Sequence, residues 1–376
     1  MIKEKDRTNV LNNYFKDPKK QFKIGKPISR DSKFIFHFIH KAGDYILKQF
    51  NYTLPSPPLE NGHAESPNDA YARGMKDIMH ALQEYYFTKC TNAVSPHFVN
   101  PLGVDMKATY SSRTNETSIT IEILQEFGGN PLPTDASLAE MFGWMVQSAN
   151  GLMTLHRLKI AHLDIKPANL VLGSGIVRYI DLGSAKEYKA MDEEQDTVSK
   201  IMWEYTPAFS PPEVRLRAES GHQLEKSSPE SIDVYAWGTL FYALLTRKSE
   251  DKVNEEVKKF EPLTEASNAE FKQLVKKGIL AEGKEEDKNE DKDEKMKMKN
   301  LIAGLIVRCM AFNPEERPNT REIVEELVKF AKARELCKDY FSTYTKKCDE
   351  MCDNMFGPAY VHSASTMQGF TLDHYI

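Results

Sequence analysis

The stretch "AHLDIKPANLVL", residues 161–172, places three polar side chains inside an otherwise apolar segment. Asp164, Lys166 and Asn169 interrupt a run of residues that is typical of a buried strand. Twelve residues after Asn169, the sequence "YIDLGSAKEY" contains a further carboxylate, Asp181, among apolar residues. Because burying a polar group costs free energy unless the group finds a partner, this spacing favours a chemical role for the four side chains.

The four side chains suit the transfer of a phosphoryl group from ATP. That reaction needs strict positioning and much positive charge, and little covalent participation by the protein. Carboxylate and amide oxygens are ligands that Mg²⁺ prefers, so Asn169 and Asp181 are candidate metal ligands. Asp164 would orient and deprotonate an incoming hydroxyl, and Lys166 would offset charge on the transferred group.

These residues resemble the protein kinase catalytic loop, H-R-D-L-K-P-x-N, and the D-F-G motif that follows it. The resemblance extends from about residue 20 to about residue 330, and its other segments occur in the family's order. They are "DYILKQF", "ILQEFGGNPL", "YTPAFSPPE", "SIDVYAWGTLFYALLT" and "NPEERP". Any one of these segments alone has an ordinary structural interpretation, whereas their joint occurrence in order indicates a kinase domain.

The resemblance implies further site residues. Lys48 would hold the α- and β-phosphates of ATP, and Glu84 is the favoured ion-pair partner of Lys48, ahead of Asp77. Gln125 would be the gatekeeper residue before the segment that faces the adenine. The backbone groups expected to face the adenine are those of Glu126 and Phe127.

The glycine-rich loop departs from the family pattern. In "KIGKPISRDSKF", Ile24 and Gly25 are expected to contact the nucleotide, but Pro27 stands where the second glycine of G-x-G-x-x-G belongs. Proline lacks the backbone N–H and fixes φ, so we expect weaker or altered closure of this loop over the phosphates.

Leu163 replaces the arginine of the H-R-D triplet. In the family that arginine meets a phosphorylated residue of the activation loop, and leucine cannot make a charge-assisted bond to phosphate. We therefore predict that activity does not depend on that contact, even if Thr197 or Ser199 is modified. Leu182, in place of the D-F-G phenylalanine, is a mild change because both side chains are apolar.

Two further matches concern support of the catalytic loop. Asp233 of "SIDVYAWG" would anchor the catalytic loop from beneath. Arg317 of "NPEERP" would pair with Glu213 of "SPPE".

The resemblance implies an α+β, bilobal protein-kinase-like fold, with a small strand-rich N-lobe that carries one main helix and a larger helical C-lobe. The sequence pattern agrees, since it predicts two strands within 33–50, a helix at 71–91, a strand at 117–127 and a long helix capped by Asp135 or Ser137. We expect a polar lead-in at 1–20, a kinase domain at 21–335 and a tail at 336–376. Within the kinase domain, the N-lobe is expected at 21–127, the C-lobe at 131–335 and an exposed charged insertion at about 282–299.

Composition narrows the class of protein. The chain has 376 residues and a net charge of −5, which gives no basic field for nucleic acid. We found neither a signal peptide nor an apolar run long enough for a membrane span, so we expect a cytoplasmic protein with possible access to the nucleus. Ordinary thiols are favoured over zinc ligands at Cys348 and Cys352, although His362 follows them.

The sequence therefore predicts a serine/threonine protein kinase that uses ATP and Mg²⁺, acts on protein substrates and binds neither nucleic acid nor membrane. Three alternatives remain. The altered glycine-rich loop favours a pseudokinase scaffold, and the D-L-G triplet is similar to the motif of Wee-like tyrosine or dual-specificity kinases. The third alternative is a small-molecule kinase. The charged insertion and the C-terminal tail are candidate docking segments for a partner, although a solvated loop and a loosely packed terminus are favoured.

Overall fold

The computed structural model defines the fold for most of the chain. It describes residues 27–31, 36–42, 45–55, 67–114, 116–188, 206–220, 228–261, 264–281 and 292–342. Ile24 and Gly25, the two nucleotide contacts predicted in the glycine-rich loop, lie outside the described residues.

Five antiparallel strands form the main sheet, in the order β1-β2-β3-β5-β4. They are β1 Pro27–Asp31, β2 Phe36–Ala42, β3 Tyr45–Pro55, β4 Pro101–Ser111 and β5 Glu116–Glu126. The predicted strands within 33–50 and at 117–127 are confirmed as β2, β3 and β5. The edge strand β4 was not predicted, because Met106 to Tyr110 are exposed on both faces and leave no alternation of apolar and polar residues.

One long helix, α1 (Pro67–Val94), packs on one face of this sheet. The predicted helix at 71–91 is confirmed and is longer by several residues at each end. The core between helix and sheet is a cluster of buried apolar side chains, namely Phe50, Tyr52, Leu54, Ile78, Ala81, Ile119, Ile121 and Ile123. Their alternation along β3 and β5 places every second residue of each strand in this core.

The second part of the chain is mostly helical. Its α-helices are α2 Leu138–Arg157, α3 Pro212–Ser220, α4 Pro229–Leu245, α5 Glu250–Lys258, α6 Glu265–Leu280, α7 Lys292–Cys309 and α8 Thr320–Ala333. Of the two predicted caps for α2, the structure uses Ser137, whose hydroxyl and backbone form a capping box with Glu140. Helix α4 is buried on nearly all sides, which makes it the centre of this core.

Short strands connect these helices and carry the polar motif of the sequence. They are β6 Asn130–Pro131, β7 Ile160–Ala161, β8 Leu170–Gly173, β9 Ile176–Tyr179 and β10 Lys186–Glu187. At the predicted chain break, Gly129 has φ +137°, and a Cβ there would lie 2.3 Å from the carbonyl oxygen of Leu172. This close approach to β8 requires glycine at position 129.

The chain divides into two compact units, which agree with the small strand-rich lobe and the larger helical lobe predicted from the sequence. The first comprises the described residues of Met1–Ala93, Phe98–Gly128 and Asp181–Gly183, and the second comprises those of the remaining ranges. The α+β, bilobal fold class is confirmed. None of the helices in the described part of the chain combines the length and the apolar composition needed to cross a membrane.

Two predicted boundaries differ from the structure. Residues 292–299, predicted as the end of an exposed loop, form the first turns of α7, where Met298 is buried. Residues 338–342, predicted as part of the tail, are helical, and Tyr340 is buried within the second unit. In both segments one side chain, Met298 or Tyr340, is buried, and this packing stabilises the helix.

Candidate active site

Three charged side chains of the first unit lie together. The ammonium group of Lys48 on β3 is hydrogen-bonded to the carboxylate of Glu84 on α1, and both residues are buried. The Nζ atom of Lys48 also lies 4.0 Å from Oδ1 of Asp181. The structure thus brings together the predicted pair of Lys48 and Glu84, and it adds Asp181 to the same cluster.

Burial and the neighbouring charges shift the pKa values of Glu84 and Lys48. Burial raises the pKa of Glu84 to about 6 and outweighs the opposite effect of Lys48, while the charge of Asp181 adds to the rise. Burial by itself lowers the pKa of Lys48, but the two carboxylates outweigh burial and hold that pKa above its usual value. Two carboxylates around one ammonium leave one excess negative charge, so the cluster is suited to an additional cation.

Asp181 is the accessible member of this cluster. Its side chain is 45% exposed, whereas the side chains of Lys48 and Glu84 are 10% and 5% exposed. The backbone N–H of Gly183 donates to Oδ1 of Asp181 at 3.0 Å, which orients the carboxylate. Leu182, between them, is buried, as expected for the residue that replaces the D-F-G phenylalanine.

A second polar cluster, in the second unit, surrounds the carboxylate of Asp164. Lys166 Nζ lies 2.8 Å from Oδ2 of Asp164, and the hydroxyl of Thr206 donates to Oδ1 at 2.8 Å. Lys166 Nζ also donates to the Thr206 hydroxyl at 3.3 Å. Each carboxylate oxygen has two acceptor sites, so Asp164 keeps acceptor capacity for an incoming hydroxyl.

Asn169 supports the same carboxylate. Its Nδ2 atom donates to the backbone oxygen of Asp164 at 2.8 Å and to Oδ2 at 3.0 Å. Because both donors of the amide point at Asp164, the amide oxygen is the atom of Asn169 able to ligate a cation. The backbone N–H of Ile180, the residue before Asp181, donates to the carbonyl of Asn169 at 3.2 Å.

The catalytic-loop backbone is held by one fully buried carboxylate. Asp233 Oδ2 accepts from the backbone N–H of His162 at 2.7 Å and lies 3.0 Å from Nε2 of His156, while Oδ1 accepts from the backbone N–H of Leu163 at 2.7 Å. Leu163 has φ +63°, a left-handed conformation that leucine rarely adopts. Asp233 therefore holds the residue next to Asp164 in a strained conformation, and the predicted anchoring role is matched by these contacts.

The predicted pair of Glu213 and Arg317 forms with bidentate geometry, at 2.7 and 2.8 Å. The guanidinium also donates to the backbone oxygens of Ala311 and Ser231, and its side chain is fully buried. This pair ties the start of α3 to the segment before α8.

The residues predicted to surround the adenine lie at the end of β5 and just after it. Gln125, the predicted gatekeeper, is buried on β5. The backbone N–H of Glu126 donates to the backbone oxygen of Asn100 at 2.9 Å, and the contact of the Glu126 backbone with adenine stays a prediction. The side-chain amide of Asn100 also donates to the Glu126 carboxylate, at 3.2 Å. The role of Phe127 stays a prediction.

Two residues that contact the site were absent from the predicted set, namely Thr206 and His156. Thr206 was noted only as part of the docking segment, and its contact with Asp164 spans 42 residues of sequence. His156 ends α2 and carries no motif, so no local signal could have identified its contact with Asp233. Cys348, Cys352 and His362 lie outside the described residues; within them, no group of three His, Cys, Asp or Glu side chains is arranged to hold a metal.

Comparison with known proteins agrees with this geometry. Residues 76–328 match the family model described as "Protein kinase domain". The chain is 33% identical over 123 residues to the serine/threonine-protein kinase ArnS of Sulfolobus acidocaldarius. The matched region covers 28% of this chain and 18% of that protein.

Two eukaryotic relatives are more distant. The chain is 28% identical over 157 residues to the proto-oncogene serine/threonine-protein kinase mos of Mus musculus, covering 37% of this chain and 43% of that protein. It is 21% identical over 274 residues to the serine/threonine-protein kinase PTK2/STK2 of Saccharomyces cerevisiae, covering 64% and 33%. The chain thus spans less than half the length of each of these three relatives.

Proposed function

The chain belongs to the protein kinase family, and we propose that it transfers the γ-phosphoryl group of ATP to serine and threonine hydroxyls of protein substrates. The observation that carries this proposal is the arrangement around Asp164, whose carboxylate is held by Lys166, Asn169 and Thr206. The names of the three relatives, all serine/threonine-protein kinases, support the choice of hydroxyl.

In this proposal Asp164 acts on the acceptor hydroxyl. In the proposed reaction its carboxylate accepts the hydroxyl proton as the oxygen attacks the γ-phosphorus, and the ADP oxygen leaves with the electron pair of the broken bond. Lys166 stabilises negative charge next to that carboxylate, at a distance of 2.8 Å from Oδ2. Because Thr206 and Asn169 hold Asp164 in place, little reorganisation is needed when the hydroxyl arrives.

The cluster of Lys48, Glu84 and Asp181 supplies the nucleotide side of the proposal. The ammonium of Lys48, held by the buried Glu84, would contact the phosphates of ATP. The exposed carboxylate of Asp181 and the amide oxygen of Asn169 are hard donors of the kind that Mg²⁺ prefers, so each fits the role of metal ligand. Magnesium, when bound, neutralises phosphate charge during the transfer.

A peptide-array assay with the purified full chain, labelled ATP and Mg²⁺ tests the proposal. We expect label on serine and threonine peptides and a loss of at least about 10²-fold in Asp164→Asn, because general-base catalysis contributes on that order. Asp135→Asn, the same change at an exposed position, is the matched control and should retain activity.

Each outcome of this assay is informative. Label on tyrosine peptides alone would overturn the choice of hydroxyl and favour the Wee-like alternative. No transfer by the wild type to any peptide or to itself would overturn the activity and favour the pseudokinase scaffold. Equal transfer by wild type and Asp164→Asn would show that Asp164 is not the base.

A further inference from the structure

The described chain continues past α8 in a strained turn. Among residues 334–337, Glu335 has φ +57° and Cys337 has φ +62°, and neither is glycine. Left-handed backbone is unfavourable for such residues, so contacts elsewhere must hold this turn. The guanidinium carbon of Arg334 lies 3.8 Å from the ring centroid of Phe330, and the helical residues 338–342 that follow place Tyr340 in a buried position.

Tyr340 enters a buried polar network. Its hydroxyl oxygen lies 2.9 Å from Nε2 of His97 and 3.3 Å from Nδ2 of Asn150. The other ring nitrogen of His97, Nδ1, lies 2.8 Å from the carbonyl oxygen of Val177 and must carry the proton, because a carbonyl only accepts. Nε2 of a neutral His97 is therefore the acceptor, and the Tyr340 hydroxyl is its donor.

The remaining groups complete the network. Asn150 donates to the Tyr340 oxygen and to the backbone oxygen of Val146 at 3.1 Å. The backbone oxygen of His97 accepts from the N–H of Tyr179 at 2.8 Å. His97 and Tyr340 are 243 residues apart in the sequence, and both are buried. A fully satisfied buried network of this kind permits one arrangement of the segments it joins.

The position of His97 in the chain connects this network to the proposed active site. His97 lies three residues after the end of α1, the helix that carries Glu84. Its partners Val177 and Tyr179 belong to β9, and Tyr179 lies two residues before Asp181. Two of the three members of the charged cluster, Glu84 and Asp181, are thus preceded or followed in the chain by segments that meet at His97. His97 in turn is held by Tyr340.

We propose that Tyr340 is a positioning residue for phosphoryl transfer: its hydroxyl fixes His97, and His97 fixes the loop after α1 and the strand before Asp181. The C-terminal segment through residue 342 is then a working part of the catalytic domain. This inference rests on the proposed kinase function for its catalytic readout, while its structural readout is independent of activity.

Tyr340→Phe in the full chain tests the proposal, because it removes the hydroxyl and keeps the ring. The matched control is Tyr242→Phe on α4, which removes a buried tyrosine hydroxyl that is bound to Glu256 and Lys248 instead of to His97. We would measure Tm, kcat and KM with the best acceptor peptide and Mg·ATP, and hydrogen exchange of the Tyr179 amide.

We expect Tyr340→Phe to lower kcat about fivefold or more and to speed exchange of the Tyr179 amide by a similar factor. Tyr242→Phe should lower Tm by at least as much and leave kcat and the Tyr179 amide within twofold of wild type. The proposal would be overturned if kcat fell in proportion to Tm in both variants. It would also be overturned if exchange of the Tyr179 amide became faster in Tyr340→Phe without a loss of kcat.

Failure of the proposed function gives a different result from failure of this inference. If wild-type protein transfers no phosphate, the kinase proposal fails, and with it the catalytic role of Tyr340. If wild type is active and Tyr340→Phe leaves both kcat and the Tyr179 amide unchanged, only the positioning role is overturned.

Discussion

Replacing Asp233 by asparagine should break the anchor of the catalytic loop. The carboxylate accepts three hydrogen bonds, from the backbone N–H groups of His162 and Leu163 and from His156, and it is fully buried. Asparagine offers one oxygen and one NH₂ group. In its better orientation the NH₂ replaces Oδ1 and faces the Leu163 N–H, so that two donors meet and neither has an acceptor.

The cost of this change can be worked from these contacts. A buried donor left without an acceptor costs about 1–3 kcal/mol, and the two remaining hydrogen bonds lose the assistance of the negative charge, so the total is about 2–4 kcal/mol. For a domain of about 300 residues that loss corresponds to a fall in Tm of roughly 3–6 °C. Leu163, with φ +63°, then loses the contact that offsets its strain of about 1–2 kcal/mol, and we expect it to relax.

Relaxation of Leu163 moves its neighbour Asp164. A displacement on the order of 1 Å can cost about 10²-fold in rate, so we expect kcat/KM of Asp233→Asn to fall by about that factor. Kinase assays at 25 °C, together with a Tm measurement on both proteins, separate this effect from unfolding. The exposed substitution Asp135→Asn controls for the loss of one negative charge. A kcat/KM within threefold of wild type would refute the anchoring argument.

Three further predictions follow from the remaining contacts. Burial raises the pKa of Glu84 to about 6, so protonation of Glu84 should make kcat/KM fall as the pH drops through that value, and Glu84→Gln should lower activity and remove this pH dependence. The folded chain holds the Glu84 proton more tightly than the unfolded chain does. The contribution of this proton to stability is therefore full below pH 4.5 and is lost as the pH rises through 6. Arg317→Met should cost about 3–5 kcal/mol in thermal or denaturant unfolding, because it removes the bidentate cation beside the mostly buried carboxylate of Glu213. The double change to methionine at both positions should recover part of that loss. Because Leu163 cannot bind phosphate, Thr197→Ala and Ser199→Ala should retain most kinase activity, and near-complete loss in either would contradict this interpretation.

The family and the chemistry of the site were readable from the sequence because they depend on short spacings. Asp164, Lys166 and Asn169 occur within six residues, so a single tight loop is enough to bring their side chains together. The strands of 33–50 and the cap of α2 at Ser137 likewise follow local rules of periodicity and capping.

Only the tertiary structure decided features that depend on distant partners. The edge strand β4 carries no alternating pattern of apolar and polar residues. The backbone N–H of Glu126 donates to the backbone oxygen of Asn100, the residue before β4. The left-handed backbone of Leu163 exists because Asp233, 70 residues away, holds its N–H. The burial of Tyr340 depends on His97, 243 residues earlier. Contacts between residues far apart in the sequence depend on the packing of the whole fold, and not only on the two residues that meet. They therefore cannot be read from the local sequence around either residue.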